Sequence, residues 1–264
     1  MHIGVIARWL NPVLTECVQL LRDQGVEVTP IFPDQMLIPI ADVKVEHDLY
    51  LMKAGTNASH YLAGILHAKG ARFLNRYPIV ALLRDKFRTN HALHHAGVRV
   101  PETFMASTRD DVLRVLADGP VVVKPPMGSR GIGVAIVHAP ADLDDVEIQT
   151  PTVVQRYCPA DDVGFDHKVF RIGDRLFGVR RRWPLRNYDD KRGEPFEVGG
   201  ELEEITRAVG SAFDIQLYGV DIVVSGGKPY VVDVNKFGSY MGVPGAPALL
   251  ADFILQATRQ QQGD

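Results

Sequence analysis

Short apolar segments in the second half of the 264-residue chain are joined in pairs by tight turns that contain glycine. Two such pairs are present, at residues 166–172 and 175–182 and at residues 218–224 and 229–234. The turns between them are Gly173-Asp174 and Ser225-Gly226-Gly227. Turns this short join antiparallel strands, because parallel strands need a long crossover connection. The second half is therefore predicted to be antiparallel, which argues against a doubly wound dinucleotide-binding fold for the whole chain.

The first part of the chain has a different pattern, in which strand-like and helix-like segments alternate. Strands are predicted at residues 2–7, 26–31, 47–52 and 72–74, and helices at residues 11–23 and 59–69. Such alternation is typical of parallel βαβ units. Tyr77-Pro78 is predicted to form a turn, and we place a domain boundary there.

The rest of the chain mixes helices with further strands. Helical spacing of apolar residues is found at residues 84–96, 109–116, 201–213 and 249–261. Extended segments are predicted at residues 98–104, 120–124, 133–137 and 152–157. Residues 183–200 are polar and contain proline and glycine, so they are predicted to form a mobile loop. The predicted fold class is α/β followed by α+β.

Composition and charge exclude several classes of protein. The formal net charge is −3, whereas dedicated nucleic-acid-binding proteins usually carry a basic excess. The two cysteines, Cys17 and Cys158, form neither a disulfide framework nor a CxxC metal motif, which favours a reducing compartment. No segment approaches the roughly 18 apolar residues of a membrane span. We therefore expect a cytoplasmic protein without a nucleic-acid or membrane partner.

A lysine at a predicted strand end is followed by a glycine-rich loop, in the sequence KPPMGSRGIGV at residues 124–134. Glycines let backbone N–H groups approach phosphate oxygens closely, and a lysine adds a positive charge. The spacing matches neither GxxxxGK[ST] nor a GxGxxG that runs into a helix. The segment is consistent with a phosphate-binding loop and also with a flexible hairpin loop.

Polar side chains interrupt the second apolar hairpin. Asp221 lies on its first strand, while Asp233 and Asn235 lie two residues apart on the second strand and share a face. Their oxygens are of the kind that Mg²⁺ binds together with nucleotide phosphates. The alternative is a set of solvent-facing positions on an amphipathic hairpin, although the valines around them favour a buried strand.

A basic segment lies at the end of the first hairpin. It comprises Arg180, Arg181, Arg182, Arg186, Lys191 and Arg192, with Lys168 and Arg171 close by in the same hairpin. Alternation along the strand places Arg181 on the face opposite Arg180 and Arg182. The segment is either a cleft for an anionic substrate or a solvated loop.

The order of these motifs resembles the ATP-grasp superfamily over about residues 83–253. The set comprises RDK at residues 84–86, VVVKPPMGSRGIGV, VVQRY, HKVFRIGDRLFGVRR, GVDIVV and VVDVN. The resemblance implies an ATP-grasp domain at residues 79–264, in which two α+β subdomains clamp ATP and the smaller covers about residues 98–157. Residues 1–78 resemble the small pre-ATP-grasp α/β domain in length and pattern.

The resemblance also implies roles for individual residues. Lys86 and Lys124 contact the phosphates of ATP. The loop that closes over those phosphates includes Gly128, Ser129, Gly131 and Gly133. The adenine-binding hinge comprises Gln155, Arg156, Tyr157 and Cys158. Mg²⁺ is held by Asp221, Asp233 and Asn235, so ATP and Mg²⁺ are the expected cofactors.

Two groups within the superfamily resemble the chain in different motifs. GSRGIGV is similar to the RimK-like ribosomal-protein–glutamate ligases, whereas VVQ, HKVF and DVN are similar to the inositol polyphosphate kinases of the same fold. We expect a carboxylate–amine ligase that forms an amide through an acyl phosphate, with small-molecule or peptide substrates. Arg181 is expected to bind the substrate carboxylate or the acyl phosphate, assisted by Lys168 and Arg171. A kinase acting on a phosphorylated polyol is the alternative, and a non-catalytic nucleotide-binding protein is a third hypothesis.

Overall fold

The N-terminal part of the protein is a four-stranded parallel sheet. The computed structural model describes residues 1–128 and 131–260. The strands are β1 (His2–Ile6), β2 (Glu27–Ile31), β3 (Leu49–Met52) and β4 (Phe73–Leu74), in the order β2-β1-β3-β4. The connections include the helices α1 (Pro12–Asp23) and α2 (Asn57–Ala68). The predicted parallel βαβ arrangement is confirmed.

Both faces of this sheet are buried, which explains why its strands are nearly continuous apolar runs. Ile3 and Val5 pack with α1 on one face, while Tyr50 and Met52 pack with α2 on the other. The helix α1 begins where Asn11 caps it, because the Asn11 side chain accepts a hydrogen bond from Leu14 N at 2.9 Å.

Two helices follow the sheet, α3 (Tyr77–Leu82) and α4 (Lys86–His95). The turn predicted at Tyr77-Pro78 is wrong, because these residues begin α3. Proline is well suited to the first helical turn, where its missing N–H has no intrahelical partner. The helix α4 begins later than predicted because Asp85 caps it, accepting from Phe87 N at 2.9 Å and from Arg88 N at 3.1 Å.

The next part is an antiparallel sheet of four strands in the order β5-β8-β6-β7. The strands are β5 (Thr103–Ala106), β6 (Val121–Lys124), β7 (Ala135–Val137) and β8 (Thr152–Arg156), and one face is covered by α5 (Arg109–Leu116). The extended segment predicted at residues 98–104 becomes a strand only at Thr103. Pro101 lacks the N–H that a strand ladder requires.

The third sheet is antiparallel and contains five strands in the order β11-β10-β9-β12-β13. They are β9 (Phe165–Ile172), β10 (Arg175–Arg182), β11 (Glu194–Phe196), β12 (Leu217–Ser225) and β13 (Lys228–Asn235). The two predicted hairpins are confirmed. The prediction of an unstructured loop over residues 183–200 is wrong in part, since β11 pairs with β10 at the sheet edge. The strand β11 has only three residues, one of them Pro195, which is too short for an alternation of apolar and polar residues to be recognised.

Two helices pack on opposite faces of this large sheet, α6 (Gly200–Phe213) and α7 (Ala246–Gln260). The α6 face contains Val169, Val220 and Ile222. The other face is apolar near α7, where Phe170 and Ile172 pack, and polar at its opposite end. The helix α7 begins earlier than predicted, and residue 261 of the prediction lies outside the described residues. No helix in the described part of the chain is long and apolar enough to cross a membrane.

Hydrogen bonds connect the N-terminal part to the large sheet. Asn75 Nδ2 donates to Leu217 O at 2.6 Å and to Lys236 O at 2.7 Å. Lys53 Nζ donates to Phe237 O at 3.1 Å and to Gly238 O at 2.9 Å. The predicted domain bounds, residues 1–78 and 79–264 with a smaller subdomain at about 98–157, stay predictions.

We expect Asn75→Ala to lower the free energy of unfolding by about 2 kcal/mol, because two carbonyl groups at a buried junction lose their donor. Urea denaturation followed by circular dichroism measures the change. Gln19→Ala on the exposed face of α1 is the control, with an expected change below about 0.5 kcal/mol. Equal small changes in both variants would contradict the assigned role of Asn75.

Candidate functional site

The predicted acidic residues face one another across β12 and β13. Asp221 pairs with Asp233 in the strand register, and Gly219 pairs with Asn235. The register shifts between Asp221 and Ile222, so that Ile222 pairs with Val231. This bulge lets Val231 pack in the α6 core while Asp233 stays beside Asp221 on the polar face. The sequence-based expectation that the three oxygen ligands share a face agrees with this geometry.

Asp221 is the centre of a network of buried charges. Its Oδ1 accepts from Lys168 Nζ at 2.8 Å and from Arg181 Nη2 at 2.7 Å, and its Oδ2 accepts from Asn235 Nδ2 at 2.9 Å. Burial opposes ionisation of Asp221, but Lys168 and Arg181 outweigh it and lower the pKa of Asp221 to about 2. The carboxylate is therefore ionised at every pH near neutrality.

The pKa of Asp233 is shifted in the opposite direction from that of Asp221. Its carboxylate forms no hydrogen bond or ion pair with any described residue, and burial together with the neighbouring charge of Asp221 raises its pKa. Two carboxylates and an amide oxygen form a donor set for a hard divalent cation, and a cation there would relieve the repulsion between the carboxylates. The chemistry of the residues thus fits Mg²⁺. The part of the chain that is described contains no cluster of three or more His, Cys, Asp or Glu residues with metal-binding geometry.

Lys124 extends from the end of the smaller sheet to this acidic pair. The buried Nζ donates to Gln155 Oε1 at 2.6 Å and to Val232 O at 3.3 Å, and Val232 is the residue next to Asp233. Burial lowers the pKa of Lys124 to about 8, although the charge of Asp233 raises it in part and Lys86 lowers it further. Gln155 is in turn fixed by Thr103 Oγ1, to which its Nε2 donates at 2.9 Å.

Lys86, the first residue of α4, contacts the glycine-rich loop. Its Nζ donates to Gly128 O at 3.1 Å, and its backbone N–H donates to Pro126 O at 3.0 Å. Gly131 and Gly133 have φ angles of +70° and +72°, a conformation that disfavours other residues. Ser129, the remaining predicted loop residue, lies outside the described residues.

The predicted adenine-binding hinge is brought together in part. Gln155 and Cys158 lie near Lys124: burial raises the pKa of the Cys158 thiol, while the charge of Lys124 opposes that rise. Tyr157 N donates to Pro120 O at 3.0 Å. The Arg156 side chain points away from Lys124 and contacts the end of α5, where its Nη1 donates to Val115 O at 2.6 Å. A nucleotide-binding role for the Arg156 side chain is therefore not supported.

The three consecutive arginines of β10 are divided between two faces, as alternation predicts. Arg181 is buried and forms a bidentate pair with Asp166, with Nε–Oδ1 and Nη2–Oδ2 distances of 2.9 and 2.6 Å. Arg180 pairs with Asp162 on the other face, and Arg182 is exposed. Lys168 shares the face of Arg181, as expected.

Arg171 does not join this group. It pairs in register with Tyr218 on the α6 face, and its Nε donates to Gly173 O at 2.7 Å. Residues 168 and 171 are an odd number of positions apart, so a regular strand sends their side chains to opposite faces. The structure therefore places Arg171 on the face opposite Arg181, and this position does not support the prediction that Arg171 assists Arg181.

Several charged residues of this region were missed by sequence reasoning. Asp166 lies two residues before Lys168, so the strand period alone indicates that it shares the site face. Lys53 follows β3 at the carboxyl edge of the parallel sheet, where α/β proteins bind ligands. Burial, with the nearby lysines 191 and 168, lowers the pKa of Lys53 to about 7. Lys236 directly follows Asn235, but it belongs to no sequence motif that would have indicated a role in the site.

Comparison with known proteins identifies the class. The fold, with Lys124 on the smaller sheet, Lys86 on α4 and an acidic pair on the large sheet, defines an ATP-grasp enzyme. The chain belongs to the RimK-like ATP-grasp domain family, whose model matches residues 83–243. A probable alpha-L-glutamate ligase of Aliivibrio salmonicida (strain LFI1238) is 26% identical over 289 residues, covering 96% of this chain and 95% of the relative.

Solved structures share the fold. A RimK domain protein from Sphaerobacter thermophilus DSM 20745 has a TM-score of 0.77 at 22% identity, covering 97% of this chain and 100% of that one. D-alanine–D-alanine ligase from Bacillus anthracis has a TM-score of 0.71 at 19% identity, covering 100% and 99%. The expected class of ATP-dependent carboxylate–amine ligases is confirmed, and these matches give the kinase alternative no support.

We expect Asp221→Asn to lower the free energy of unfolding by roughly 3–5 kcal/mol, because Lys168 and Arg181 lose a shared buried counter-charge. Asp162→Asn is the matched control, since it removes one of two acidic partners of Arg180 in a part-exposed pair and should change stability little. Chemical denaturation at pH 7 compares the two variants. Equal losses in both would contradict the central role of Asp221.

We also expect the affinity for Mg·ATP to fall as the pH rises through about 8, because the Lys124 ammonium then loses its proton. Lys124→Met should bind at least about tenfold more weakly at pH 7 and lose this pH dependence. Titration calorimetry from pH 7 to 9.5 measures both effects, with Lys228→Met at the exposed first residue of β13 as control. The same pH profile in wild type and Lys124→Met would exclude Lys124 as its source.

Proposed function

We propose that the protein joins a carboxylate to an amine with ATP and Mg²⁺, through an acyl-phosphate intermediate. One observation carries the proposal: Lys124 Nζ lies 3.3 Å from Val232 O, beside Asp233. Candidate phosphate-binding and metal-binding groups from separate sheets therefore meet at one point. No single sheet supplies both sets of groups.

The chemistry requires two displacements. A carboxylate oxygen attacks the γ-phosphorus of ATP, the bond to the bridging oxygen breaks, and ADP leaves with the electron pair. The amine nitrogen then attacks the acyl carbon, phosphate leaves, and the nitrogen loses a proton. Positioning and charge stabilisation account for most of the acceleration of phosphoryl transfer. The protein supplies both without a covalent intermediate of its own.

Each part of the site has a proposed task. Lys86 and Lys124 hold the phosphates, and the loop with Gly128, Ser129, Gly131 and Gly133 covers them and excludes water. Gln155 fixes Lys124, and the backbone of residues 156–158 borders the adenine. We exclude the Arg156 side chain because it is committed to α5.

Asp221, Asp233 and Asn235 would hold Mg²⁺, which when bound neutralises charge on the phosphates. Lys168 and Arg181 keep Asp221 ionised and oriented. The Nη1 of Arg181 has no hydrogen bond to a described residue, and we assign it to the substrate carboxylate or the acyl phosphate. Arg171 has no part in this proposal because it lies on the other face.

The substrates follow from the relatives. Since several curated relatives are named alpha-L-glutamate ligases, we propose an amino acid or peptide as the carboxylate or amine partner. We also propose a cytoplasmic location, which agrees with the two unpaired cysteines. Neither a nucleic acid nor a membrane is part of the proposal.

A substrate screen that reads both free phosphate and product mass tests the function. We expect ADP and free phosphate in equal amounts, with a product whose mass equals acid plus amine minus water. A phosphorylated product without free phosphate would instead identify a kinase. Nucleotide binding without turnover by any acid and amine pair would favour the non-catalytic hypothesis.

Asp233→Asn should lower turnover at least about a hundredfold, because a metal-bound charge worth several kcal/mol is lost. The same variant should be more stable than wild type at pH 7 without Mg²⁺, since the raised pKa of Asp233 means that its ionised form disfavours folding. This advantage should shrink as the pH falls towards the ordinary pKa of aspartate.

Activity assays and thermal unfolding of both proteins, with and without Mg²⁺, measure these effects. Asp190→Asn in the exposed segment after β10 is the control for the loss of one negative charge near the site. Normal Mg²⁺-dependent turnover in Asp233→Asn would end the assignment of Asp233 as a metal ligand.

A further inference from the structure

A group of polar side chains lies where α2 meets the turn before α4 and the end of β13. We call Arg84, Lys236, Asn57 and His60 the junction cluster. Asn57 and His60 are three residues apart on α2, so their side chains are neighbours on one face of that helix. Arg84 comes from the turn between α3 and α4, and Lys236 directly follows β13. Two separate segments therefore meet one face of α2.

Within the junction cluster, Lys236 and Arg84 each contact a neutral side chain of α2. Lys236 Nζ lies 3.0 Å from His60 Nε2, and Arg84 Nη2 donates to Asn57 Oδ1. Burial, with the nearby charges of Lys236 and Arg84, lowers the pKa of His60 to about 3, so His60 is uncharged. Over residues 1–128 and 131–260, no carboxylate forms an ion pair with Arg84 or Lys236, whereas Arg181 and Lys168 both have acidic partners. Two basic side chains thus meet at the junction with no acidic partner among the described residues.

One donor of the junction cluster has no partner among the described residues. Arg84 Nε is buried and makes no hydrogen bond within the described part of the protein. Leaving a buried donor unsatisfied is costly, and such groups are rare in folded proteins. A guanidinium N–H beside an ammonium is the arrangement that binds carboxylate and phosphate oxygens. The missing partner is therefore best supplied by an oxyanion.

We propose that Arg84 and Lys236 form a binding site for an oxyanion, a carboxylate or a phosphate group of a small molecule, at this junction. The site is additional to the nucleotide site, and it does not depend on the proposed function. It is close in sequence to the proposed nucleotide and metal site, since Arg84 lies two residues before Lys86 and Lys236 directly follows Asn235. A bound anion would hold the N-terminal part, the phosphate-binding lysine and the metal-binding strand in one arrangement.

Thermal unfolding with inorganic phosphate and L-glutamate as separate probes tests the site, against sodium chloride at the same ionic strength. We expect at least one probe to raise the Tm saturably in wild type, and the responding probe identifies the group that is bound. Arg84→Gln and Lys236→Gln should each weaken that response at least tenfold. Arg88→Gln, an exposed position on α4, is the matched control and should respond as wild type does.

Lys124→Gln separates the junction from the nucleotide site, since phosphate could also bind where ATP phosphates do. The response should persist in Lys124→Gln if the anion binds at the junction. The proposal is overturned if neither probe stabilises wild type, or if Lys124→Gln removes the response. It is also overturned if the response survives in both junction variants while their own Tm falls, because Arg84 and Lys236 would then be structural. None of these readouts requires turnover, so failure here is distinct from failure of the ligase proposal.

Discussion

The Asp221 carboxylate is the interaction on which the site depends. Asp221 lies on β12, and its oxygens accept from Lys168 of β9, Arg181 of β10 and Asn235 of β13. This one carboxylate therefore connects four strands. The two cations keep it ionised, and the fixed carboxylate leaves Asp233 beside it without a partner among the described residues. The two neighbouring carboxylates, Asp221 and Asp233, therefore repel each other when both are ionised. That repulsion suits a site that gains a divalent cation and a nucleotide, and it is a poor solution for stability alone.

A local irregularity of β13 connects this network to the smaller sheet. The register shift beside Asp221 lets one strand place Val231 in the α6 core and Asp233 on the polar face. The carbonyl of the extra residue, Val232, accepts a hydrogen bond from Lys124. Gln155 and Thr103 hold that lysine from the other side. Lys124, proposed to bind phosphate, is therefore hydrogen-bonded to the residue next to Asp233, proposed to bind the metal.

Much of this arrangement could be predicted, because strand alternation and glycine turns are local signals. They correctly indicated both hairpins, the shared face of Asp221 and Asp233, and the separation of Arg181 from its neighbours. The same alternation could have placed Arg171 on the opposite face, although its position in the same hairpin had suggested that it assists Arg181. The Arg156 contact with α5, the short strand β11 and the register shift could not be predicted, because each depends on an element distant in sequence. The unpartnered Nε of Arg84 is likewise visible only in three dimensions.

The central claim is that the site activates a carboxylate by phosphorylation, and the fate of a carboxylate oxygen tests it most directly. The enzyme would be supplied with Mg·ATP, an amine and an acid labelled with ¹⁸O in its carboxylate, using a pair that supports ADP release. Attack on the γ-phosphorus places one labelled oxygen between carbon and phosphorus, and the amine then expels it with the phosphate. Mass spectrometry should therefore find one ¹⁸O atom in each phosphate released. Unlabelled phosphate, with both labelled oxygens still on the acid, would contradict the account.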